Sequence, residues 1–385
     1  MIIKTQAELD DICAKLAQKP YITIDTEFLR DKTFYSKLCL IQLAGPDIDA
    51  VAVDPIEFDL DWTPLNDLLH NEDVLKVFHA ARQDLEIFYQ LNGKIPHPIF
   101  DTQVAAMVCG YGDSIAYNKL VQDITGTALA KNAQFTDWSR RPLAEKQLTY
   151  ALDDVIYLRD VYESLDKRLK KQKRDGWVKQ EMEILTSADT YKMPVEDAWK
   201  RIKIRSDKSE VLAVLRELAI WREELARKKD IPRGRIMKDE ALADIAVYLP
   251  KDKEGLRRIR NVGKDTAKNH VGETLLKLVA KARKSDKSTW PKAERKEPFP
   301  KECTPILEML KLLLKINCSE ENVASKLIAN VSDLEEIAKQ DEADVAAMRG
   351  WRFEVFGKDA MDLKHGKITL GLKDGQMHKY KNKDA

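Results

Sequence analysis

Within the first 165 residues, short apolar runs rich in Val, Ile and aromatic side chains alternate with stretches whose apolar positions recur every three or four residues. The runs at 21–24 (YITI), 38–43 (LCLIQL), 50–53 (AVAV) and 74–78 (VLKVF) predict strands, because such side chains fit a pleated, half-buried surface. The clearest helical pattern runs from 145 to about 170. There Leu148, Leu152, Val155, Tyr162, Leu165 and Leu169 make one apolar face that should dock on a sheet. This half therefore reads as mixed α/β.

Beyond it the pattern changes. Residues 171–207, entered through the run RLKKQKR at 168–174, are polar and basic with a lone Pro194, and predict a partly helical connector. Residues 208–286 and 301–372 predict two wholly α-helical domains of several short amphipathic helices, with 373–385 as a tail. Between them, 287–300 carries three prolines and alternating charge, too little apolar surface for a core, and reads as a linker. A chain of 385 residues also exceeds what one core usually supports, so a multidomain organisation with residues 1–170 as the first domain is expected.

Composition narrows the setting. The apolar runs are short and broken by charge, and the start MIIKTQAELDDI has neither the apolar stretch nor the cleavage site of a signal peptide; the expectation is a soluble, cytoplasmic monomer without a membrane partner. Five cysteines lie far apart with no C-x-x-C pair, which predicts reduced thiols rather than a zinc site. The formal charge of +1 hides an asymmetry: residues 1–165 hold 15 basic and 26 acidic side chains, whereas the remaining 220 hold 50 and 38. An acidic half joined to a basic half fits a carboxylate-rich metal site beside a polyanion-binding surface, and fits ordinary solvated helix faces as well.

The sharpest local signal is Asp25-Thr26-Glu27 at the end of an apolar strand, since side chains at i and i+2 of a strand share a face and can converge on one cation. A second carboxylate, Asp84, follows the 74–78 strand in the first turns of a helix, where its charge suits the helix dipole. In the long helix, Tyr150 and Asp154 are four apart and so present a phenol and a carboxylate side by side. Asp153 is also within a turn of Tyr150, and periodicity alone does not choose between the two. Four carboxylates from three elements suit two divalent cations roughly 3.5–4 Å apart that clamp a phosphodiester displacement. Oxygen-only ligands favour Mg2+ or Mn2+ over zinc, and a tyrosine hydroxyl nearby can position the attacking water.

Taken in order, D-T-E in the first strand, H-A-x-x-x-D-L-E-x-F about fifty residues later and Y-x-x-x-D about seventy further on resemble the three exonuclease motifs of the tyrosine-bearing branch of the DEDD superfamily. The words Asp25-Thr-Glu-Phe-Leu-Arg, Leu40-Ile-Gln-Leu, Phe100-Asp-Thr-Gln and Asp137-Trp-Ser-Arg-Arg-Pro-Leu are similar to bacterial ribonuclease D. Residues 209–282, with Leu218-Ala-Ile-Trp-Arg-Glu-Glu-Leu-Ala-Arg and Ile231-Pro-Arg-Gly-Arg-Ile-Met, resemble the HRDC domain of ribonuclease D and RecQ-type helicases, and 301–372 resemble a divergent second copy.

The resemblance implies an RNase H-like exonuclease domain, a mixed sheet flanked by helices, followed by two all-α HRDC-type domains. It assigns metal binding to Asp25, Glu27, Asp84 and Asp154, selecting Asp154 over Asp153, and adds Tyr150 to the catalytic set. Phe28, Gln42 and His79 stand beside the motifs where they could meet RNA; Phe28 serves equally for packing, and a hydrogen-bonded structural role suits His79 better than a phosphate contact. The implied activity is two-metal hydrolysis of RNA from a free 3′ end, releasing nucleoside 5′-monophosphates, with tRNA precursors and other stable RNAs as substrates. A DNA exonuclease of the same superfamily and a non-catalytic RNA-binding scaffold are the rival readings. A helicase is excluded and no ATP is expected, because the chain has no G-x-x-x-x-G-K-[ST].

Overall fold

The computed structural model describes residues 1–130, 133–293 and 298–382. The first domain is built on six strands, β1 (Ile2–Ile3), β2 (Tyr21–Leu29), β3 (Lys37–Gly45), β4 (Ile48–Val53), β5 (Leu75–Phe78) and β6 (Ile99–Asp101), in the order β1-β4-β3-β2-β5-β6. β2, β3 and β4 form an antiparallel meander, whereas β5 and β6 join β2 in parallel and β1 joins β4 in parallel. The sheet is therefore mixed, with the change from antiparallel to parallel pairing at β2.

Helices α1 (Gln6–Leu16), α2 (Thr63–Leu69), α3 (Arg82–Asn92), α4 (Thr102–Val108), α5 (Tyr117–Thr125) and α6 (Glu145–Gln172) flank it. Local chemistry sets their ends. Thr5 and Glu8 form a capping box at the start of α1, and Gly93 closes α3 in the left-handed conformation. α6 lies across β2, β3 and β4. Its deeply buried residues are Ala151, Val155, Leu158, Val161, Leu165 and Leu169. The stripe is thus rotated from the expected one at its N-terminal end, where Leu148 and Leu152 pack at the edge of a smaller cluster around Trp138.

The expected connector adds structure to this domain. α7 (Asp175–Leu185) sends Val178 and Met182 into the same core, and only then does the chain run through short 3-10 turns to the first helical domain. That domain contains α8 (Ser209–Lys229), α9 (Arg233–Ile236), α10 (Asp239–Tyr248), α11 (Lys253–Arg257), α12 (Lys264–Lys268) and α13 (His270–Lys284) around a core of its own. Part of the expected linker, 294–297, lies outside the described residues.

The last domain corrects the sequence reading. Its helices, beginning with α14 (Thr304–Glu321), end in a hairpin of β7 (Ile368–Lys373) and β8 (Gln376–Lys381), so the stretch to 372 is not wholly helical and the tail is a paired strand as far as 381. Asp374 and Gly375, both at positive φ, make the two-residue turn that matches the twist of the strands. Residues 383–385 of that tail lie outside the described residues.

All five cysteines are free thiols. No described helix is long and apolar enough to cross a membrane.

Candidate active site

β2 carries the first two carboxylates past the point where its parallel neighbour stops. Pairing with β5 covers Tyr21, Ile22 and Thr23, while β3 continues opposite to Leu29 with a register shift between Glu27 and Phe28. Asp25 and Glu27 thus stand beyond the carboxyl end of β5, the usual place for a ligand crevice in sheets with parallel strands. As the two-residue repeat dictates, they share a face. Single oxygens of Asp25, Glu27 and Asp154 lie within 4.8 Å of one another, close enough to hold one metal ion.

Asp84 reaches the group from the first turn of α3. It is 6% exposed, and the Thr26 hydroxyl donates to its Oδ1. The turn that delivers it is unusual, because Ala80 is a non-glycine residue at φ +58°. Asp101, buried at the N-terminus of α4, holds that turn: its carboxylate accepts from Ala80 N (3.0 Å) and Ala81 N (2.8 Å), and from Gln103 N (2.8 Å) and Val104 N (3.3 Å) on its own helix. Thr102 adds a second tie, donating to Phe78 O at 3.0 Å while its oxygen lies 2.9 Å from His79 Nδ1. Burial pushes the His79 pKa down, which keeps the ring neutral at neutral pH.

α6 supplies the remaining pair. Tyr150 and Asp154 are one turn apart and both line the cleft. The Trp138 ring packs 6.2 Å from the Tyr150 ring, and Trp138 belongs to a segment fixed by Arg141, which bonds Trp138 O, Cys39 O and Asp54 Oδ1. Asp153 does not line the cleft; its carbonyl accepts from the Tyr117 hydroxyl at 3.1 Å.

The electrostatics are one-sided. Burial and the Asp154 charge hold the Asp25 carboxyl well above the usual range, and burial and the Asp25 charge do the same to Asp84. Glu27 is pushed up to about 10 by burial and by Asp25, Asp154 and Asp84, and Asp154 to about 7, chiefly by burial. No described lysine or arginine lines this cavity of about 450 Å3. Four clustered carboxylates with no described basic side chain lining their cavity are costly to keep charged, and an all-oxygen set of this kind fits a hard divalent cation.

The other expected site residues divide. Phe28 and His79 line the cleft. Gln42 does not: it is fully buried opposite Asp25 in the β2–β3 ladder, beneath α6, so a bound strand has no access to it. Its place in an RNA-contacting set is corrected accordingly; the apolar run around it was the sign that it faces the core. The sequence reading did not name Tyr117, Asn118, Gln83 or Gln134, which also line the cleft. Nor did it give Asp101 a role, although an Asp preceding a helical run is a recognisable N-cap.

A model of the 3′-5′ exonuclease family matches residues 1–170, and a model of the HRDC domain matches residues 211–279. Over 376 residues the chain is 49% identical to ribonuclease D of Nitrobacter hamburgensis, covering 98% of each chain. The chain belongs to the ribonuclease D family. It is 46% identical over 378 residues to ribonuclease D of Bartonella henselae, covering 98% of this chain and 93% of the other. Among solved structures, Escherichia coli RNase D, described as an exoribonuclease involved in structured RNA processing, is similar with a TM-score of 0.80 and 27% identity over 95% of this chain and 98% of that one. Activity follows from membership: this is a hydrolase, a 3′-to-5′ exoribonuclease of a metal-dependent superfamily, with an HRDC domain that binds nucleic acid.

Proposed function

We propose that the cleft between β2, α3 and α6 is the hydrolytic centre, that Asp25, Glu27, Asp84 and Asp154 hold two divalent cations there, and that Tyr150 handles the attacking water. The observation that carries this reading is the convergence of four carboxylates, three of them within 4.8 Å at single oxygens, in a cavity that no described basic side chain lines. Bound Mg2+ or Mn2+ would neutralise the charge on the phosphate and make water a better nucleophile.

The residues of the chain do the rest. Tyr150 interacts with the Asp154 carboxylate, and burial and the surrounding carboxylates raise its pKa, so its hydroxyl stays protonated and can orient water by hydrogen bonding. Phe28 offers an apolar surface to the terminal base. His79, kept neutral by burial, packs the wall of the cavity just before α3. In the reaction, water oxygen bonds to the terminal phosphorus as the bond from phosphorus to the preceding 3′ oxygen breaks. The water gives up a proton, the departing 3′ oxygen takes one up to become the new 3′-hydroxyl of the shortened strand, and a nucleoside 5′-monophosphate leaves.

Precursors of tRNA and other stable RNAs trimmed at their 3′ ends are the proposed natural substrates. The test is a time course on 5′-labelled RNA in Mg2+. Successive one-nucleotide shortening and free 5′-monophosphates are expected from an open 3′ end, with a stall on a 3′-phosphate. Efficient cleavage of circular RNA would contradict the reading.

A further inference from the structure

A second cavity, of about 680 Å3, opens where the first domain, the connector and the first helical domain meet. Its walls are aromatic and cationic. Arg233 lies over the Phe34 ring at 4.4 Å and Arg227 at 5.7 Å, and the rings of Tyr89 and Tyr191 are 6.1 Å apart. Phe34 is held in place by the chain itself, since Asp230 accepts from the Phe34 and Tyr35 amides at 3.0 Å each.

Charge in this cavity does not cancel. Buried Glu223 takes both Arg227 and Arg233, and Glu86 takes Arg30. Arg201, on the exposed rim, makes no salt bridge among the described residues, and the neighbouring guanidiniums of Arg233, Arg227 and Arg30 add to burial in lowering its pKa. An anion placed there would relieve the repulsion, and guanidiniums grouped about aromatic faces suit a phosphate joined to a base.

Position gives the anion an identity. Arg30 directly follows the last residue of β2, three residues beyond Glu27, roughly 10 Å along an extended chain. Tyr191 is near enough to feel the charges of Asp101 and Asp84. No described lysine or arginine lines the carboxylate cleft, whereas Arg30, Arg201, Arg227 and Arg233 line this cavity.

We propose that this cavity is a second site for the RNA strand, in which Arg201 with Arg227 and Arg233 holds an upstream phosphate while Phe34 and Tyr191 take a base. The proposal rests on the reading of the carboxylate cleft as the place where the 3′ end is cut.

Full-length wild type, Arg201→Ala and Phe34→Ala are compared on a dinucleotide, too short to fill both sites, and on a single strand of about 16 nucleotides. For Arg201→Ala the ratio of kcat/KM on the long strand to that on the dinucleotide should fall about tenfold, mainly through KM, as expected for one lost charge-assisted contact. Binding of the long strand in chelator should show a log affinity against log salt slope shallower by about 0.7. Phe34→Ala should lower the ratio without changing the slope. Equal losses on both substrates, or none, would overturn the proposal. So would tight binding of a free nucleoside 5′-monophosphate that Arg201→Ala abolishes while the ratio holds, since that assigns the site to a free nucleotide. A wild type that degrades no RNA would defeat the reading of the cleft, while the binding series in chelator would still decide on the second site.

Discussion

Among single residues, Asp101 is a positioning group, because its carboxylate holds the Ala80 turn from which Asp84 enters the cleft. Asp101→Asn should lower kcat in limiting Mg2+ by about tenfold or more and raise the Mg2+ needed for half-maximal rate, since a backbone in a strained conformation loses its support. Adding Ala80→Gly should recover part of the loss, glycine adopting positive φ without a side-chain penalty. If the double variant is no better than Asp101→Asn in a Mg2+ titration, the turn is not what Asp101 secures. Asp25 and Glu27 are legible in the sequence because strand periodicity places them side by side, whereas helix periodicity leaves Asp153 and Asp154 both beside Tyr150 and only the resemblance to the Y-x-x-x-D motif selects Asp154. Asp101 is not legible, because its function lies in hydrogen bonds to a segment about twenty residues earlier in the chain. Gln42 was misplaced for a related reason: proximity to a motif in sequence says nothing of which side groups α6 covers.

At the scale of elements, strands were readable from composition but their depth was not. Lys76 stands in the middle of β5 and is fully buried, its ammonium donating to the carbonyls of Asn71 and Val74 at 2.7 Å and to that of His97. It therefore ties the ends of the loops before β5 and before β6 to the sheet. Lys76→Met keeps the apolar stem and removes the donor, leaving three carbonyls short of a partner; the protein should lose at least about 2 kcal/mol in denaturant unfolding. An unchanged midpoint would show that water replaces the ammonium at no cost. The C-terminal hairpin teaches the complementary lesson. Asp374-Gly375 between alternating residues is the turn signal of a two-residue hairpin. It was overlooked because the segment follows several helices and its strands bury little: Leu372 is 73% exposed. In α6 the helical period was clear, but the start of the buried stripe depended on where Trp138 packs, which no local pattern contains.

At the scale of the whole molecule, both helical domains lean on the first domain at separate places. The first meets it at Phe34 and Tyr35, and the last at α4 and α7, where Trp177 stacks on Trp351 at 4.2 Å, Arg174 pairs with Glu321 at 2.6 Å, Arg352 pairs with Glu181, and Ala324 N donates to Met107 O at 3.0 Å. These contacts link residues more than 140 apart in sequence, which is why domain order was legible and domain docking was not. The Arg352–Glu181 pair is mostly buried, so breaking it is costly. Glu181→Arg or Arg352→Glu alone should make the linker region more sensitive to limited proteolysis, and the charge-swapped double variant should restore resistance; equal sensitivity of single and double variants would mean the pair does not hold the domains. The uneven charge, −11 over residues 1–165 and +12 over 166–385, sets acidic chemistry in the first domain against a basic excess that lies in residues 166–300 and that the last domain, with 14 basic and 15 acidic side chains over 301–385, does not share. Whether the carboxylate cleft performs the hydrolysis is decided by the single-turnover rate of Asp154→Asn on 5′-labelled RNA with saturating Mg2+. A fall of at least about 100-fold is expected, with RNA affinity in chelator and the unfolding midpoint little changed. A wild-type rate from that variant would contradict that role for the cleft.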